Sequence, residues 1–217
     1  MSRRLRSWAA SLLVLAATPT VQAQVPAITL TEPGPLFAGA PYTLGFAFSV
    51  AADVPLLALG VYDHLADGLE AAAEVALWSS DSRVALRQAV VPRGTAAALD
   101  GTFRFAPVAP LLLQAGRAYL VAAYLDDSMA TSFGIADTGT ASIDPRLRLV
   151  EDRFGDGFFN ITYPSLSDGT QGGWLGANFQ LAPVPEPGAA ALLALGLAGL
   201  AWRHRHPVFS RRCGIRA

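Results

Sequence analysis

Lysine is missing from all 217 residues, cysteine occurs once, at Cys213, and histidine three times. Each scarcity excludes something. One terminal cysteine leaves the rest of the chain without a disulfide, a thiolate nucleophile or a cysteine metal ligand. Two of the histidines, His204 and His206, lie near the end, so the body holds only His64. A lone histidine cannot build a zinc site of the usual kind. No Gly-x-Ser-x-Gly elbow accompanies it to complete a hydrolytic triad, and no catalytic residue is expected. Charge is scarce too, at 15% of residues, and unevenly placed. All 17 acids lie between Glu32 and Glu186, against eight arginines there, so that stretch is nine charges negative. Nucleic-acid binding needs clustered cations, and an acidic body excludes it as a partner. The lack of lysine fits the high alanine content as a coding bias.

What is present begins with two segments set apart by composition. Arg3, Arg4 and Arg6 precede a short apolar stretch over 8–17, and Val21-Gln22-Ala23 places small residues at −3 and −1. This predicts a signal peptide over 1–23, cleaved after Ala23. Ser2-Arg3-Arg4 carries twin arginines without the residues that should follow, which favours the general secretory route.

At the other end, Val184-Pro185-Glu186-Pro187 is stiff and poor in backbone donors, so the folded domain should stop before it. An uncharged Ala/Leu/Gly run over 188–202 follows, including Gly188, Leu192, Leu193, Leu195, Leu197, Leu200 and Trp202. As a helix it rises about 22 Å, against ~30 Å of hydrocarbon. That makes a transmembrane anchor that spans poorly, with Trp202 at an interface and Arg203 and Arg205 as the basic stop. The positive end stays in the cytoplasm and the body outside.

Together, Val-Pro-Glu-Pro, a short apolar helix and a basic cluster resemble the PEP-CTERM sorting signal of Gram-negative bacteria. The resemblance spans about 184–217 and implies an exosortase-type sorting protease as partner, with Pro185, Glu186 and Pro187 as the recognised motif. It also implies transient inner-membrane anchoring, then a place at the cell surface or in an exopolysaccharide or biofilm matrix. The tail runs on past Arg205 to Ala217, further than the usual signal does.

Between the ends, 24–183 is predicted to be one all-β domain. Tyr42, Leu44, Phe46, Phe48 and Val50 alternate with small or polar residues, the period of a half-buried strand. Further strands are expected over 56–62, 75–78, 84–91, 102–105, 118–125, 146–150, 158–163 and 174–181. Turn residues divide them, Ser79-Ser80-Asp81-Ser82 among them. Residues 67–76 admit one or two helical turns at most. The spacing suggests a single β-sandwich with a jelly-roll or Greek-key path.

Leu59-Gly60-Val61-Tyr62-Asp63, Asp67-Gly68-Leu69, Val75-Ala76-Leu77-Trp78, Gly101-Thr102-Phe103-Arg104-Phe105 and Leu113-Gln114-Ala115-Gly116-Arg117-Ala118-Tyr119 resemble a recurrent module of PEP-CTERM proteins. The resemblance runs from about Tyr42 to Tyr124 and implies a surface β-domain. Many members carry a histidine where this chain has Ala73.

No cofactor is expected, except that loop carboxylates offer hard oxygen ligands to calcium, with Asp63 and Asp67 the first choice. Asp126 with Asp127, and Asp152 with Asp156, are weaker pairs. None follows EF-hand spacing. Trp78, Trp174, Tyr62, Tyr119, Tyr124 and Tyr163 would stack on sugars if exposed together, or fill the core. The expectation is a non-enzymatic exported surface or extracellular-matrix protein. A carbohydrate-binding module for exopolysaccharide is the first alternative and a glycan-active hydrolase the second.

Overall fold

A computed structural model describes residues 23–31, 41–125, 141–156, 160–169, 173–183 and 196–199. The chain divides into two units, Met1–Ala182 and Pro183–Ala217, and the fold below belongs to the first.

Strand formation follows the alternation. In β3 (Tyr42–Val50), Leu44, Phe46, Phe48 and Val50 face the core. β3 lies in a five-stranded antiparallel sheet with β11 (Leu147–Asp156) on one side and β9 (Ala118–Leu125) on the other. β5 (Ala73–Ser79) and β6 (Ala85–Val91) extend it, in the order β11-β3-β9-β5-β6. The second sheet has the order β1-β12-β4-β8-β7, from β1 (Val25–Pro26), β12 (Ala177–Leu181), β4 (Val54–Tyr62), β8 (Phe103–Leu113) and β7 (Ala98–Asp100). A short ladder pairs β2 (Ile28–Leu30) with β10 (Ala141–Ile143).

The two large sheets meet through their inner faces. Phe48 of β3 stacks on Phe179 of β12 at 4.8 Å, with Phe46 and Tyr119 beside Phe48. Burying each such ring contributes about 1.5–3 kcal/mol. The outer faces are covered too. Ala58, Tyr62, Phe103 and Phe105 form one outer cluster with Leu30. Ala76, Trp78, Leu120 and Ala122 form another under Ile161 and Tyr163. Central strands are therefore apolar on both faces, which is why 56–62 reads as an unbroken apolar run.

One side of the sandwich closes toward a barrel. β7 pairs only with Phe103, Arg104 and Phe105, so among the described residues the rest of that β8 edge has no ladder partner. Arg87 of β6 reaches across and donates to the carbonyls of Ala109 (2.7 Å) and Pro110 (2.9 Å). Pro107 and Pro110 suit a strand that is an edge along this stretch.

Several expectations change. The strand predicted over 102–105 continues to Leu113, because prolines that read as breakers sit at an edge. The stretch predicted over 158–163 holds no strand at 160–163, and 157–159 lie outside the described residues. Instead it folds over the outer face, tied by the Phe154–Leu166 bridge. In place of helical turns over 67–76 there is one 3-10 turn, His64–Ala66, and then β5. β1, β2, β7 and β10 were not anticipated, having only two or three residues each.

Gly45 of β3 lies opposite Ala122 of β9. A Cβ there would lie 2.0 Å from the Val121 carbonyl oxygen. Gly45→Ala is expected to cost about 3 kcal/mol or more in urea unfolding. Gly116 has open space but a φ of +75°, so Gly116→Ala should cost only about 1–2 kcal/mol. Equal losses would show that strand approach does not limit position 45.

Candidate functional site

Three of the module-like motifs, 59–63, 67–69 and 101–105, converge at the end of β4, whereas the one over 113–119 begins at its other end, where Leu113 pairs with Val54. Asp63 follows Tyr62, and its backbone N–H donates to the Thr102 carbonyl at 2.8 Å. Its carboxylate oxygen Oδ2 accepts from Arg104 Nε at 2.6 Å, with side-chain exposures of 0% for Asp63 and 5% for Arg104. The Gly68 N–H donates to both carboxylate oxygens, at 3.2 and 3.1 Å. Arg104 also donates to the carbonyls of Ala97 (2.9 Å) and Ala66 (3.4 Å). Its strand neighbours pack on the opposite face of the sheet: Phe103 lies edge-on to Tyr62, and a Cβ on Gly60 would lie 2.4 Å from the Phe105 ring. Leu69 and Gly94 exchange two backbone hydrogen bonds and close the unit.

This clamp carries a strained loop. Leu65 and Ala66 both have positive φ, 65° and 59°. Such geometry in residues with a Cβ costs of order 1–3 kcal/mol each and persists only when the surroundings impose it. Ala66 is fixed at both ends, its N–H on the Asp63 carbonyl and its own carbonyl on Arg104. Leu65 is left 77% exposed at the tip. The Tyr62 hydroxyl lies 3.3 Å from Nδ1 of His64. Burial, with the Asp63 charge second, raises the Tyr62 phenol above its usual range, so it stays protonated.

The engagement of Asp63, the first choice for calcium, bears against that expectation. That carboxylate is buried and spent on a guanidinium and a backbone N–H, so a solvent cation would have to break the ion pair to reach it. Asp67 is exposed, and among the described residues no three His, Cys, Asp or Glu are grouped to hold a metal. Asp152 is buried and accepts from the Ser167 hydroxyl (2.9 Å) and the Asp168 N–H (3.3 Å). Asp126, Asp127 and the Asp156 side chain lie outside the described residues.

Of the aromatic residues, Trp78, Tyr62 and Tyr119 are buried. Tyr163 packs edge-on against Trp78, with the Arg83 guanidinium over its ring at 5.4 Å, and Tyr124 is half-buried. Trp174 is half-buried too, packed against the core. With Tyr42, Leu44, Phe154 and Asp168 it lines a depression of about 210 Å³.

A second constellation joins the two ends of the body. Val25 pairs with Leu181 and Pro26 with Gln180, so the segment just after Ala23 and the exit at Ala182 lie side by side. Ala23 itself is exposed. The Ala182 N–H donates to the Pro55 carbonyl, and its carbonyl accepts from Arg146, both at 2.8 Å. Arg146 is held in turn by both Asp144 carboxylate oxygens, at 2.8 and 2.7 Å. That hydrogen bonding, outweighing burial, lowers the Asp144 carboxyl below its ordinary value and raises Arg146. Beyond Ala182, the sorting residues Pro185, Glu186 and Pro187 lie outside the described residues. So do Gly188, Leu192, Leu193, Leu195, Leu200, Trp202, Arg203 and Arg205. Leu197 lies in the helical turn 196–199 and is 43% exposed. Among the described residues no helix is long and apolar enough to cross a membrane.

Sequence reasoning missed Arg104 and Arg146 as partners. Each left a signal: an arginine between Phe103 and Phe105, and an Asp-Pro-Arg turn over 144–146.

Residues 183–205 match the PEP-CTERM protein-sorting motif, beginning one residue after the Ala182 anchor. The chain thus ends in a sorting signal of the kind that marks exported proteins for exosortase at the membrane and cell surface. No curated protein and no solved structure matches the chain.

Breaking the buried pair by Asp63→Ala or Arg104→Ala should cost about 3–5 kcal/mol in urea unfolding, because the remaining charge is stranded. The double variant Asp63→Leu/Arg104→Met should recover much of that loss; equal damage in single and double variants would show that the pair does not act as a unit. A pH dependence follows from Asp144. Its folded-state value lies below an unfolded value of about 3.9. Its stabilisation is therefore present above about pH 4 and lost as pH falls through the folded value. The melting-temperature gap between the native protein and Asp144→Asn should shrink in acid. A gap unchanged from about pH 6 to about pH 2 would rule out the linkage.

Proposed function

We propose that this protein is a non-enzymatic component of the cell surface or extracellular matrix, exported and then released from a transient membrane anchor by exosortase. The sorting motif directly behind the last anchored residue of the sandwich carries this reading. Three residues at most separate the folded body from Pro185, so the tag acts as a detachable extension of a finished domain. The body's polar side chains support a structural role. The acid beside its one histidine is given to Arg104, so it does not orient His64 toward a nucleophile.

Carbohydrate binding is the second reading, supported by the depression formed by Tyr42, Phe154, Trp174 and Asp168. Aromatic faces beside a carboxylate suit the apolar faces and hydroxyls of a sugar ring.

The sorting reading is tested by mass analysis of the C-terminus of protein recovered outside an exosortase-bearing cell. A chain lacking the anchor run over 188–202 is expected, and Glu186→Ala should leave it uncut. A surface-exposed chain still ending at Ala217 would falsify processing. For the second reading, the recovered protein on a glycan array should bind matrix sugars, and Trp174→Ala should weaken binding about tenfold, or about 1.4 kcal/mol. Binding unaffected by that substitution would place any sugar site elsewhere.

A further inference from the structure

We infer that Gln24 is a modification site: once the leader is removed, it cyclises to a pyroglutamyl N-terminus. The inference rests on export with cleavage after Ala23, and the fold supplies the rest. Val25 is the first residue of the sheet, paired with Leu181, so Gln24 lies just outside the ladder. Gln24 is exposed, and among the described residues nothing hydrogen-bonds its carboxamide. Its side chain is therefore free to turn back on its own nitrogen.

While Ala23 is attached, that nitrogen is an amide and unreactive. Cleavage turns it into an α-amine whose pKa of about 7.7–8.0 leaves part of it neutral and nucleophilic near neutral pH. The amine attacks its own Cδ. A bond forms between the α-nitrogen and Cδ, closing a five-membered lactam, and the Cδ–Nε2 bond breaks. Nε2 leaves as ammonia, taking the proton given up by the α-nitrogen. Nothing is oxidised or reduced, and no co-reactant is needed. Both reacting groups belong to one residue, which supplies the proximity that a bimolecular reaction lacks.

The setting suits the product. Gln24 sits on the rim of a groove of about 490 Å³ lined by Pro92, Ala96, Ala97, Phe105 and Pro107. Cyclisation replaces a terminal ammonium with a neutral lactam beside this apolar lining. Loss of the terminal charge also makes the body one unit more acidic.

The test is mass analysis and stepwise N-terminal degradation of the protein recovered outside the cell. A synthetic peptide of residues 24–30 is carried through the same work-up to measure cyclisation during handling. The expected N-terminal peptide begins at residue 24, is lighter by one ammonia, and resists degradation until treated with pyroglutamyl aminopeptidase. Gln24→Asn keeps a carboxamide but would need a strained four-membered ring, so that variant should show a free amine. A chain that begins at Gln24 with a free amine, or cyclised no more than the handled peptide, overturns the proposal and leaves export intact. A recovered chain that retains the leader overturns the export reading itself, and the proposal with it.

Discussion

The ion pair between Asp63 and Arg104 is the constraint on which the body's organisation turns. Two opposite charges buried together are stable only with close geometry and every remaining donor and acceptor engaged. That requirement draws in Gly68, Ala97 and Ala66, and so fixes the loop after β4 against β8 and the approach to β7. The aromatic residues on either side of Arg104 then have set places. Phe103 meets Tyr62, and Phe105 occupies the space that glycine leaves at position 60. A motif spread over forty-odd residues is thus one packing unit, and the strained Leu65–Ala66 corner is its consequence.

The same economy appears at the boundary of the domain. Arg146 does for Ala182 what Arg104 does for Ala66, holding a backbone carbonyl while an aspartate holds the guanidinium. One arrangement shapes a loop and the other finishes a strand just before the sorting motif begins. The body is in this sense a plug of β-structure with a defined end. The residues matched to the sorting motif begin two positions after the end of β12.

Much of this was legible beforehand, for reasons that differ between elements. β3 and β9 appear with the boundaries the sequence implied, because alternation with large apolar residues is a strong period-two signal. β8 was cut short at its prolines, since only tertiary context shows that the far half has an open edge. The stretch over 158–163 has strand-like residues but spends Ile161 and Tyr163 as a cover for Trp78, a use that no local pattern distinguishes from pairing. At the clamp, the sequence shows Asp63 only as a loop carboxylate of the kind that suits a hard cation. Its true partner lies 41 positions away, and the oppositely charged residue there was visible only as one more arginine. The sorting signal needed no folding to be read, because its chemistry is written in consecutive residues.

The pairing of Val25 with Leu181 also has a consequence for timing. β12 sits between β1 and β4, so this sheet gains both its second strand and its attachment to the N-terminal strand only when residues near 181 are present. Contacts of such long sequence separation form slowly, after the intervening chain has been gathered. A chain emerging N-terminus first therefore cannot complete its sandwich until almost the whole body has emerged. The sandwich of such a chain is completed only with the arrival of the strand that leads into the sorting motif.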